Sequence, residues 1–142
     1  MTSKALYNAA YIKAGEIANQ VIKRHHGKTP KYKDYPATVV SCSSKGSSIH
    51  KVEHSRSCQN YKFDSRILDV LKTIGNVDGK SNIKDCDNRV GHCAEPHAAN
   101  EMIKTSAKLK VADLEFGFAV RPRTKEIIPY CGNCKATFKQ LV

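Results

Sequence analysis

The chain has 142 residues, enough for one domain with a real core and too few for two. It carries 24 Lys+Arg against 13 Asp+Glu, a formal charge of +11, with 40% hydrophobic residues and no Trp. No apolar stretch approaches the roughly 18 residues of a membrane span, and no charged start with an apolar middle and cleavage site opens the chain. An integral membrane protein and a Sec-exported precursor are therefore not expected. The basic excess points to a polyanionic partner. It is spread out, with seven basic residues against two acids in residues 1–35, nine against six in 36–92 and eight against five in 93–142.

In chain order, residues 4–26 read as a helix. Leu6, Ala10, Ala14, Ile17 and Val21 repeat at helical spacing, Ser3 is the expected N-cap and Gly27 the stop. A basic, Tyr-containing connector follows between Pro30 and Pro36. Ala37 to Ser43 and Ile49 to His54 predict a hairpin turning at Gly46. A second helix is expected over 64–74, with Phe63, Ile67, Val70, Leu71 and Ile74 on one stripe. Residues 76–91 are polar and read as a loop. A third helix is expected over 94–105, with a mostly small inner face of Ala94, Ala98, Ala99, Met102 and Ile103. Val111 to Arg121 alternates Leu114, Phe116, Phe118 and Val120 as a strand, and Ile127-Ile128 forms a short one. The last helix should begin near Gly132. The whole reads as one domain over 1–142.

Two short motifs carry chemistry: Cys93-Ala94-Glu95 and Pro129-Tyr130-Cys131-Gly132-Asn133-Cys134. Each falls where a helix should start, where free N–H groups favour thiolate. C-x-x-C supplies two metal ligands from one turn, and Cys93 supplies a third. Three protein ligands leave tetrahedral zinc one open position for water, the catalytic arrangement. Glu95, two residues beyond the first ligand, is placed to take a proton from that water without binding metal. This chemistry suits removal of an amino group from an amidine-like carbon such as C4 of cytosine or C6 of adenine.

Cys93-Ala94-Glu95-Pro96 followed by Pro129-Tyr130-Cys131-Gly132-Asn133-Cys134 resembles the zinc deaminase signature H-x-E…P-C-x-x-C, with Cys in place of the first His. With Gly91-His92 ahead of the first motif, the chain is most similar to the YwqJ-like deaminases of bacterial polymorphic toxins. The resemblance covers about residues 91–138. It implies a cytidine-deaminase-like α/β fold, a three-layer α/β/α sandwich with a mixed sheet. Only eight residues follow Cys134, so that sheet is expected to be short at the C-terminus. The resemblance also implies Zn2+ held by Cys93, Cys131 and Cys134, with Glu95 as proton shuttle. It further implies a toxin-type effector that acts on bases in the cytoplasm, is delivered without a Sec signal peptide, and is restrained by an immunity protein. Tyr130 departs from the pattern by separating Pro129 from Cys131.

Cytosine in nucleic acid, single-stranded or flipped out, is the expected substrate. Arg121, Arg123 and Lys125, in the loop before C-x-x-C, are candidates for its phosphates, and His97 for the pocket wall. Lys31-Tyr32-Lys33-Asp34-Tyr35 interleaves rings with cations as single-strand binders do. Arg89 and His92 are candidates to donate to a thiolate. Three alternatives stand beside this reading. A free-nucleoside cytidine deaminase shares the three-Cys site. A structural four-Cys zinc module that binds nucleic acid would recruit Cys86. A disulfide would join Cys42 to Cys58, which are otherwise expected to pack in or near the hairpin as small apolar residues.

Overall fold

The computed structural model describes residues 1–141. Helix α1 (Ser3–Arg24) opens the chain, capped by Thr2, whose hydroxyl accepts from the Ala5 amide at 3.1 Å. Strands β1 (Val39–Ser44) and β2 (His50–His54) form the expected hairpin. Helix α2 (Ser65–Leu71) and helix α3 (Ala94–Ile103) follow, separated by the long polar loop. Strands β3 (Leu114–Phe116), β4 (Ala119–Val120) and β5 (Ile127–Ile128) lead to helix α4 (Gly132–Thr137).

The protein is mixed α/β, with a five-stranded sheet in the order β2-β1-β4-β5 and β3 also paired to β1. Every pairing is antiparallel, so the expected mixed sheet is corrected. The chain returns along each neighbour through turns or over the sheet's end, and no two adjacent strands are joined by a parallel crossover. Helices cover both faces. Because side chains alternate across a strand, β1 sends Val39 to one side and Val40 and Cys42 to the other. Val39 packs with Val120 against Ala10, Ala14, Ile17 and Val21 of α1. Val40 and Cys42 pack against Ala98, Ala99 and Met102 of α3 and Ile67 and Leu71 of α2. The small residues of α3 let it lie close on the sheet.

The strand expected over 111–121 is broken. A single 3-10 turn occupies Val111–Asp113, and β3 and β4 are separated at Gly117-Phe118. The registers Cys42↔Phe116 and Val39↔Val120 differ by one residue. This is a β-bulge, in which an extra residue reverses the alternation beyond it. Leu114 and Phe116 therefore face the α3 side as expected, but Ala119 takes the place on that face that position 118 would have held. Val120 turns to α1, and Phe118 is left 53% exposed. The cause is α1 itself. A Cβ on Gly117 would lie 2.8 Å from Leu6 Cβ and 2.9 Å from the Tyr7 amide nitrogen, so the first turns of α1 rest on bare backbone there.

Arg66 closes the lower end of α3. Its guanidinium donates to the carbonyls of Ile103 (3.0 Å), Ser106 (2.8 Å) and Leu109 (2.8 Å), and pairs with Asp64, the N-cap of α2. That satisfies carbonyls a helix end leaves open. All six cysteines are free, Cys42 and Cys58 both buried, so no disulfide joins them. Among the described residues no helix is long and apolar enough to cross a membrane.

Candidate metal centre

Cys93 is the N-cap of α3 and Cys131 the N-cap of α4, and neither side chain caps its own helix. Both thiols are left free to point at each other. Their sulfurs lie 3.3 Å apart, and the Sγ atoms of Cys93, Cys131 and Cys134 all fall within 4.8 Å of one another. Three Zn–S bonds of about 2.3 Å in a tetrahedron set the sulfurs about 3.8 Å apart, so the group is of the right size for one ion. The three cysteines thus form a candidate metal-binding group, and three soft donors suit zinc by chemistry. Cys86 is buried nearby, against Gly132, but does not belong to the group, so the four-Cys arrangement is not formed.

Glu95 stands on the first turn of α3, only 3% exposed. Its Oε2 accepts from the Cys134 thiol at 3.0 Å. Burial raises the Glu95 carboxyl above its ordinary value, because the charged form loses water. The thiols share their protons unequally. Contact with its two neighbours holds the Cys131 thiol well below its ordinary value, while the same crowding and burial push Cys93 and Cys134 up.

Cys93, Glu95 and Cys131 line one cleft of about 760 Å³, while Cys134 lies beneath it, buried. Ala119 and Ile128, at the ends of β4 and β5, form part of the wall. Arg121 and Arg123 line the cleft as expected, and Tyr32, Lys33 and Tyr35 face it across the opening. Two expected residues lie elsewhere. Lys125 adopts a left-handed backbone (φ 62°) in a tight turn, and its ammonium sits over the Tyr11 ring of α1, 5.5 Å from the centroid. His97 is fully buried and lines no part of the cleft. Its position two residues after Glu95 rotates it to the opposite side of α3, between Tyr61 and Phe63, with Nε2 3.3 Å from the Arg56 carbonyl. Arg89 and His92 engage Asp78, through its carbonyl and its carboxylate respectively, and do not hydrogen-bond a thiol.

Several residues gain roles that the sequence did not signal. Arg56 lines the cleft, held by Glu53 at 2.8 Å and by the Tyr61 ring. Asn133, inside C-x-x-C, donates to the Asn88 carbonyl at 2.8 Å and so fixes the loop that lines the cleft with Cys131. Tyr130 explains the break between Pro129 and Cys131. Its hydroxyl donates to the Gly117 carbonyl at 2.6 Å, tying C-x-x-C to the bulge, and burial pushes its pKa up to about 12. Only the basic character of Arg56 and the Asn within C-x-x-C were visible beforehand.

Compared with family models, with curated proteins and with solved structures, the chain finds no match.

Proposed function

We propose that this protein is a zinc-dependent hydrolytic deaminase that converts cytosine to uracil in nucleic acid. The observation that carries the proposal is the convergence of Cys93, Cys131 and Cys134 beside a buried Glu95 on an open cleft. The similarity of both motifs to the YwqJ-like deaminases supports the same reading, together with a toxin-type role in the cytoplasm and an immunity partner. Cys93, Cys131 and Cys134 would hold the ion. Zinc held there would supply Lewis-acid activation of water.

Glu95 then moves protons. Burial raises its carboxyl above the ordinary value, which suits a group that takes a proton from the attacking water and passes it to the departing amino group. One water adds at C4, the C4–N bond breaks, and ammonia leaves. Arg56, Arg121 and Arg123 face the cleft that the target nucleotide enters, and they suit phosphates on either side of it. Tyr32 and Tyr35 suit neighbouring bases, which stack on rings regardless of sequence.

The test is a comparison of zinc-loaded protein with Glu95→Gln on single-stranded DNA, duplex DNA, RNA and free cytidine, reading uracil and ammonia. The proposal expects turnover on a polymer, lowered by a factor of about 100 or more in the variant, with zinc content unchanged. Turnover on cytidine alone points to the nucleoside enzyme. Bound zinc without turnover on any substrate overturns the enzymatic reading.

A further inference from the structure

A second set of donors lies one residue upstream of the first. Atoms of Cys58, Asp78 and His92 fall within 4.8 Å of one another. They come from three separate segments: the stretch after β2, the middle of the long loop, and the residue before Cys93. We infer that they form a second zinc site, which pins the 75–92 loop to the body of the protein.

The local backbone is built around this point. His92 Nε2 and Asp78 Oδ1 are 2.5 Å apart. The Val90 carbonyl accepts both the Asp78 amide (2.9 Å) and the Cys58 thiol (3.5 Å), gathering two of the three donors at one spot. Asp78 holds a left-handed backbone (φ 66°), uncommon for a residue with a side chain. Gly91 clears the space. It has φ 87°, and a Cβ there would lie 3.1 Å from the Cys58 sulfur and 3.2 Å from the Phe63 ring.

The donor chemistry also selects the ion. One thiolate, one carboxylate and one neutral imidazole balance the charge of a divalent cation, and a mixed S, N, O set suits zinc rather than calcium or magnesium. Loading replaces the Cys58 thiol proton and any proton held between His92 and Asp78, and these pass to solvent. The loop reaches the core at Val90 and Cys86, but its first part is loosely held, with Val77 and Ile83 only partly covered. A crosslink through Asp78 and His92 would hold it, and would fix the peptide that leads into Cys93.

The experiment counts metal on the full chain after zinc loading and gel filtration. Wild type should retain two equivalents. Cys58→Ala and Asp78→Asn should each retain one, with the cobalt-substituted Cys93 site keeping its intense thiolate absorption. Asp78 is partly exposed, so Asp78→Asn guards against a Cys58 variant that fails to fold. One equivalent in wild type with the cobalt spectrum untouched by either variant overturns the inference, as does a second equivalent that survives both. The site proposed for catalysis fails separately, if Cys131→Ala leaves the stoichiometry unchanged.

Discussion

Lowering the pH from 7 to 5 should destabilise this protein through His97. The imidazole is fully buried, its Nδ1 lacks a hydrogen-bond partner, and burial with the nearby Arg56 charge holds its pKa down to about 4. The unfolded chain protonates the same ring near 6.5. Above that value both states are neutral and His97 costs nothing. As the pH falls below 6.5 the unfolded state gains a proton that the folded state refuses, and the loss continues until about pH 4. Linkage puts the loss at about 2 kcal/mol between pH 7 and pH 5. For a chain of this size that lowers Tm by roughly 6–8 °C. The check is chemical denaturation of wild type and His97→Gln over that range, in chelator. Glu95 titrates with the opposite sign, because a raised carboxyl favours the folded state as the pH drops, but it is common to both proteins and cancels in the difference. Parallel stability curves for the two would refute the reasoning.

Gly117→Ala should cost about 1–3 kcal/mol, because the new methyl meets backbone of α1 as well as the Leu6 side chain; thermal melts check it. Arg66→Lys should destabilise nearly as much as Arg66→Ala, by about 1–3 kcal/mol, since one ammonium cannot reach three carbonyls and Asp64 together; urea midpoints decide it. Arg121→Ala with Arg123→Ala should weaken single-strand binding and reduce the salt slope by about 1.4, measured by fluorescence anisotropy across salt. Lys125→Ala should leave both unchanged, because its ammonium rests on Tyr11.

The candidate metal-binding group was more legible in the sequence than the architecture around it. Cys93, Glu95, Cys131 and Cys134 are local motifs, and helix starts place them almost without reference to the rest of the chain. The helical stripes of α1, α2 and α3 were likewise visible, since burial at a fixed period leaves a mark in the letters. What escaped was decided by contacts between distant segments. Nothing in the alternation of Leu114, Phe116, Phe118 and Val120 shows that Leu6 and Tyr7 press on Gly117. Lys125 continues a basic run in sequence, yet a single positive φ carries its charge onto α1. Tyr130 looked like an irregularity in a motif until the Gly117 carbonyl supplied its partner. The antiparallel order of the sheet depends on how the late strands return, which no local pattern records.

The one-residue offset between β3 and β4 has a consequence for what the cleft admits. Had the strand kept strict two-residue rhythm, a benzyl group would stand where the methyl of Ala119 now borders the opening. That ring would crowd the approach to Glu95 from this side. The slipped register thus sets the width of the opening through the backbone rather than through the choice of side chain.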